Sequence, residues 1–180
     1  MKGIIFNLLE ELVVRDFGPD TWDALLDSAG LDGSFTSLGS YPDESLFKLV
    51  GAAATALNKP PGDIVRWFGV QAIPLLAKKY PAFFERHQNT RSFILTLNSI
   101  IHPEVRKIYP GADVPDFDFD SSSPDQLILG YRSKRRLCAL AEGLVQGAAA
   151  HFKEVVAIGH PLCLHRGDDQ CRLQLSFRPL

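Results

Sequence analysis

Along the first hundred residues, apolar side chains recur at helical spacing. Ile4, Ile5, Leu8, Leu9, Leu12 and Val13 follow an i, i+3, i+4 pattern, which predicts an amphipathic helix over residues 2–15. A second helix is expected from a cap at Asp20 to Ala29, where Gly30 supplies a stop. A third opens at Asp43 and runs through Leu57, ended by Asn58 and the Pro60–Pro61 pair. A fourth covers Asp63 to Lys79, with Pro74 inside it expected to kink it or end it early. A fifth opens at Asn89 or Thr90 and continues to His102. There Pro103 lacks a backbone donor and disfavours the α conformation before it, so His102 is expected at a break.

The period then changes to two. Residues 117–120 alternate Phe and Asp, residues 126–133 form a second extended run, and Ser121 to Asp125 read as the turn between them. Asp116, Asp118 and Asp120 fall on one face, expected to be the solvated one. Residues 134–150 return to a helix with Leu137, Leu140, Ala141, Leu144 and Val145 on one face. The chain closes with a hairpin, Val155 to His165 and then alternating Cys171, Leu173, Leu175 and Phe177 around Gly167-Asp168-Asp169. Segregated helices and antiparallel strands make an α+β fold. At 180 residues one domain is expected, with a soft boundary near residues 59–62.

Composition narrows the class. The chain is 46% apolar and 22% charged, ordinary for a soluble globule. No run approaches the ~20 apolar residues of a membrane helix. The opening MKGIIFNLLEELVV is too acidic and too periodic for a signal peptide, so a cytoplasmic protein with no membrane partner is expected. A net charge of −2 argues against a dedicated nucleic-acid binder. The charge is uneven: residues 1–63 carry a net −6 and residues 64–180 a net +4. The C-terminal part therefore suits an anionic ligand or an acidic partner, unless the two parts are merely solvated faces of one domain.

Three groups of residues carry candidate chemistry. Tyr131, Ser133 and Arg135 form Y-x-S-x-R, which in an extended segment puts two hydroxyls and a guanidinium on one face, a clamp for carboxylates or phosphates. Lys134, Arg135 and Arg136 would crowd the first turn of the next helix, where the dipole disfavours cations and a nearby anion would relieve them. His102, in an otherwise apolar helix, is either a partly buried, hydrogen-bonded histidine or a metal ligand facing a cavity. Cys138, His160, Cys163 and Cys171 make a Cys3His set suited to structural tetrahedral zinc, with His165 as a competing ligand. The same cysteines also read as buried small hydrophobes or as a redox pair. There is no P-loop, no G-x-G-x-x-G after a strand and no G-x-S-x-G, and no catalytic residue is assigned.

In combination these residues resemble the H-NOX family, the haem nitric oxide/oxygen binding domains that include stand-alone bacterial sensors and the haem domain of soluble guanylate cyclases. The resemblance runs from MKGIIFNLLE through His102-Pro103 and Gly111-Ala112-Asp113-Val114-Pro115 to Tyr131-Arg132-Ser133-Lys134-Arg135. It implies haem b, with His102 as the proximal ligand of the iron and Tyr131, Ser133 and Arg135 holding the propionates. Pro115 would press on and distort the porphyrin, and Ile5 would pack on the macrocycle. It implies a single domain over 1–180, with a helical distal lobe over 1–62. The proximal lobe over 63–180 would carry the haem ligand, the propionate clamp and the zinc site. Some bacterial members also carry a Cys3His zinc site, which matches Cys138, His160, Cys163 and Cys171 and offers a second, redox input.

Oxygen-binding members place a distal tyrosine nine residues after the motif's first tyrosine. That position is Leu140 here, and their supporting polar positions are Leu9 and Pro74. Without a donor worth about 1.5–3 kcal/mol, oxygen loses its stabilisation while nitric oxide does not. The resemblance therefore implies a nitric oxide sensor. Gas binding would weaken or break the iron–His102 bond, and the lobes would reorient toward a separate partner, a histidine kinase or an enzyme of cyclic di-GMP turnover. The alternatives are an oxygen-binding haem protein, a zinc/thiol redox module, and a haem peroxidase or oxygenase, the last lacking polar distal groups.

Overall fold

Eight α-helices and four strands form in the order the sequence patterns lead one to expect, with several boundaries moved. The computed structural model describes residues 1–180. α1 (Gly3–Phe17), α2 (Pro19–Ala29) and α3 (Asp43–Leu57) are followed by α4 (Pro61–Lys79), α5 (Pro81–Phe84) and α6 (Thr90–Ile94). A turn of π-helix at Leu97–Ile101 then leads into α7 (His102–Ile108). β1 (Asp116–Asp120) and β2 (Leu127–Arg132) precede α8 (Cys138–His151), and β3 (Glu154–Leu162) and β4 (Cys171–Pro179) close the chain. No helix is long and apolar enough to cross a membrane.

The departures have local causes. Gly18, with φ +90°, caps α2 ahead of Pro19 in its first turn, so Asp20 lies inside the helix rather than at its cap. Gly30 and Asn58 end α2 and α3 in the left-handed region, as expected. Pro74 neither ends α4 nor stops it short of Lys79. Its ring faces solvent while Ile73 beside it is buried, and that packing outweighs the lost hydrogen bond. The single helix expected over 89–102 is three pieces. Asn89 caps α6 by accepting from the Ser92 N–H, the π turn follows, and the path continues through Pro103 to Ile108. Pro103 is accommodated because it sits in the first turn of α7, where its missing N–H costs nothing.

The four strands form one antiparallel sheet in the order β1-β2-β4-β3. Asp116, Asp118 and Asp120 are exposed, while Leu127, Leu129 and Tyr131 of β2 and Cys171, Leu173 and Leu175 of β4 share the buried face. β3 ends at Leu162, ahead of a short 3-10 turn at Leu164–Arg166, and so is shorter than the run to His165.

Two apolar cores result. One gathers α1, α2 and α3 with Ile64, Val65, Phe68 and Ala72 of α4. The other joins the buried sheet face to Ile73, Phe93 and Ile94 and to Ala141, Val145 and Ala148 of α8. α4 thus belongs to both, and it meets α8 backbone to backbone. A Cβ at Gly143 would lie 2.2 Å from the Arg66 carbonyl oxygen, and one at Gly69 2.8 Å from that of Leu140. Only glycine permits this approach, so the relative placement of the two cores rests on it.

Candidate functional site

Between these cores lies a cavity of about 410 Å³, mostly apolar, of the size class of small-molecule sites. His102, Pro115, Tyr131, Ser133, Arg135, Ile5 and Leu140 all line it. The chain brings them from α1, α7, the segment before β1, the end of β2, the turn that follows it, and α8.

His102 enters from the first residue of α7. The wide π turn before it and Pro103 after it set its direction, and its ring stacks on Phe117 with centroids 5.5 Å apart. Burial, with the nearby Arg106 charge, pushes the imidazole down to about 4. It is therefore neutral near pH 7 and carries the lone pair a metal needs.

Tyr131, Ser133 and Arg135 converge, but not as one face of a strand. β2 ends at Arg132, and residues 133–136 turn, with Arg136 at φ +51°. α8 begins only at Cys138, so Lys134, Arg135 and Arg136 precede the helix and do not crowd its first turn. The turn is held by the Leu137 N–H donating to the Tyr131 hydroxyl at 3.0 Å and the Arg135 N–H donating to Ser133 Oγ at 3.2 Å. Burial raises the Tyr131 phenol above its ordinary value, keeping it a neutral donor. Arg135 Nε donates to Asp43 at 2.7 Å, and Nη1 donates to the Asp113 backbone oxygen at 2.7 Å. Asp43 also accepts from the Met1 amino group at 2.7 Å. Burial disfavours its charge, but Met1 and Arg135 outweigh that and hold Asp43 below its ordinary 3.8. Arg135 therefore ties the cavity's polar end to α3.

The rest of the lining is largely apolar, but not through Leu9 or Pro74. Leu9 faces into the N-terminal core and Pro74 faces solvent; neither lines the cavity. Ile73 and Leu76 of α4 and Leu144 of α8 do, beside Leu140 and Ile5. The sequence reading missed these three, and also Tyr80 and Tyr109, which line the cavity and hydrogen-bond to each other through their hydroxyls. Helical spacing marked Leu144 as apolar, but nothing local said which face would meet a cavity. A tyrosine pair 29 residues apart leaves no local signal.

The Cys3His set also comes together. The donor atoms of Cys138, His160, Cys163 and Cys171 all lie within 4.8 Å of one another. The Cys138 and Cys163 sulfurs are 3.8 Å apart, unbonded, and all three thiols are buried. Sulfurs about 2.3 Å from a tetrahedral zinc would be about 3.8 Å apart, so the donor set fits that ion. Burial and the neighbouring Cys171 and Cys163 sulfurs push the Cys138 thiol up to about 12. Burial raises the Cys171 thiol as well, although the Leu164 N–H donates to its Sγ at 3.3 Å, a contact that favours thiolate. His165 stays outside the set, its Nε2 donating to the Arg136 carbonyl oxygen at 2.7 Å.

The whole fold is shared with known proteins. The H-NOX protein of Shewanella oneidensis, solved in its Fe(II)NO ligation state, is 37% identical over 99% of each chain and superposes with a TM-score of 0.93. The H-NOX of Shewanella woodyi, solved with IWP-051 bound in its Fe(II)CO state, is 32% identical over 99% of this chain and 95% of its own, with a TM-score of 0.85. The unliganded Fe(II) H-NOX protein of K. algicida, at 24% identity over 100% of this chain and 98% of its own, shares the fold with a TM-score of 0.89. The profile of the haem-NO-binding family matches residues 2–160, and with relatives of this similarity spanning the chain, the protein belongs to that family, the haem-based gas sensors known as H-NOX proteins.

Proposed function

We propose that this protein is a nitric oxide sensor rather than an enzyme or an oxygen carrier, and that it signals to a separate protein. The observation that carries the reading is the one cavity that gathers His102 and the Tyr131–Ser133–Arg135 turn together with the apolar Ile5, Ile73, Leu140 and Leu144. Haem b, when bound, would supply a ferrous iron that takes a diatomic gas. Tyr131, Ser133 and Arg135 would donate to its propionates, Pro115 and Ile5 would press on its ring, and His102 would ligate its iron through the neutral imidazole. Leu140 and its apolar neighbours would exclude water and offer bound oxygen no hydrogen-bond donor, which would leave nitric oxide favoured. With haem bound, loss of the His102 ligand would free α7, and the distal lobe (1–62) and proximal lobe (63–180) would reorient. The equilibrium moves only by the ligand's differential affinity for the two states. By family likeness the partner is a histidine kinase or an enzyme of cyclic di-GMP turnover in the cytoplasm. Cys138, His160, Cys163 and Cys171 would hold zinc, which folds β3, β4 and the start of α8 together.

The test is the optical spectrum of the reduced, haem-loaded protein with nitric oxide and, separately, in air. Nitric oxide should leave the iron five-coordinate, the mark of a lost His102 bond, and air should form no stable oxygen complex. A stable oxygen complex would overturn the nitric oxide reading. Absence of a Soret band after haem reconstitution would leave the zinc–thiol module. His102→Gly should act on the partner as the gas-bound protein does; action like the unliganded protein would sink the release mechanism.

A further inference from the structure

The one nitrogen donor of the Cys3His set is held differently from its sulfurs. His160 projects from β3, and its Nδ1 stands 2.6 Å from Glu142 Oε1 on α8. Its Nε2 is buried and has no hydrogen-bond partner. Glu142 is itself only 12% exposed, and both of its oxygens are engaged. Oε2 accepts from Arg66 Nε at 2.9 Å and from Arg66 Nη2 at 2.7 Å. Arg66 lies on α4 and is held in turn by Asp63 at 2.8 Å. The close approach of α4 and α8 at Gly143 puts Arg66 within reach of Glu142.

Donor and acceptor bookkeeping assigns the protons. An ionised carboxylate only accepts, so the hydrogen between Glu142 and His160 belongs to Nδ1. In the neutral ring Nε2 then carries a lone pair. A doubly protonated ring would instead bury an Nε2–H donor with no acceptor, an expensive arrangement. A lone pair beside three sulfurs is an unfinished metal ligand. A carboxylate on the far ring nitrogen is the arrangement that fixes the tautomer and orientation of metal-bound histidines.

We infer that Glu142 is a positioning residue for the metal cluster: it holds His160 as the Nδ1–H tautomer with Nε2 facing Cys138, Cys163 and Cys171, and Arg66 anchors it from α4. The inference rests on the zinc reading above. It adds two residues that the Cys3His spacing does not include, and it ties the ligand set to α4 as well as to β3 and α8.

The test uses the reduced 180-residue chain as wild type, Glu142→Gln and Glu142→Ala. Zinc affinity is read by competition with a chromogenic chelator, and the His160 tautomer in the zinc-free protein by 15N NMR of the ring nitrogens. Glu142→Ala should weaken zinc roughly 10–100-fold and mix the tautomers. Glu142→Gln keeps an acceptor for Nδ1–H and should lose less than about tenfold while holding the tautomer. A merely structural role would lower stability and leave the tautomer unmoved. Zinc binding by Glu142→Ala within about twofold of wild type, or a wild-type His160 protonated on Nε2, would overturn the inference while leaving zinc in place. A wild-type chain that takes up no zinc would overturn the zinc reading and this inference with it.

Discussion

The cavity and the Cys3His cluster lie on the same helix start, two residues apart at Leu140 and Cys138, yet they are assembled differently. The cavity takes its walls from α1, α4, α7, β2, α8 and the segments between, so no stretch of sequence contains it. The cluster comes from one helix start and one hairpin within residues 138–171. A site made of neighbours in the chain keeps its spacing visible in the sequence. A site made of distant segments depends on the packing that gathers them. The shared support is the α4–α8 contact, which bears on Leu140 and Leu144 on one side and on Glu142 on the other.

Gly143→Val attacks that support and should have the largest effect. The new side chain meets the α4 backbone, and overpacking of this kind costs roughly 3 kcal/mol. The thermal midpoint should fall by about 6–12 °C, with haem retention and zinc affinity both reduced. Loss of only one of the two would show that the sites do not share α4–α8 as their frame.

Cys163→Ser separates the sites. Zinc affinity should drop by more than the ~100-fold at the upper end for losing a ligand's supporting contact, because here a ligand itself is lost. The Soret spectrum of the haem-loaded protein should stay as in wild type. A shifted Soret band would mean that the cluster sets the cavity's shape.

Leu140→Tyr acts on the cavity alone. A phenol at this position gives bound oxygen a donor, and oxygen affinity should rise about tenfold to a hundredfold in a titration of the reduced protein. No rise would mean that Leu140 does not face the gas.

The smallest effect belongs to the polar end of the cavity. Asp43 is 29% exposed, so losing its pairing in Asp43→Asn should cost only about 1 kcal/mol in urea unfolding. Its carboxylate titrates lower in the folded chain than its ordinary 3.8, so its contribution is complete above that value and fades as pH falls below it. The gap between wild type and Asp43→Asn should therefore hold steady from about pH 6 to about pH 4 and narrow as unfolding is measured at lower pH. A gap that persists would mean that the charge on Asp43 is not what holds Arg135.

Much of the fold was legible because its signals are local. The periods of 3.6 and 2, Gly30, Asn58 and the Asn89 cap each act within one turn, and the elements they announce are present, the helix from Asn89 in three pieces. What was misread depended on neighbours far along the chain. Of the two outcomes that Pro74 suggests, a kink or an early end of α4, the early end does not occur, because Ile73 is buried in the second core and the helix runs on to Lys79. The basic run at 134–136 was placed in a helix, but the Tyr131 hydroxyl takes the Leu137 N–H and delays the start to Cys138. Leu9 was placed by analogy at the cavity and instead packs in the N-terminal core.

By itself the sequence determined the α+β class, most helix ends, the pattern of the sheet's buried face and, for the Cys3His set, its three thiols with His160 and His165 as the competing nitrogen donors. Its likeness to the haem-binding family marked His102, Pro115, Tyr131, Ser133, Arg135, Ile5 and Leu140. Only the tertiary structure decided that these seven line one cavity, that Ile73, Leu76 and Leu144 rather than Leu9 and Pro74 complete its apolar wall, and that His160 rather than His165 joins the thiols. Capping, turn formation and periodicity are settled within a few residues of chain. The direction a side chain faces between two packed helices is settled by how closely their backbones approach, and here that distance is set by Gly69 on one helix and Gly143 on the other.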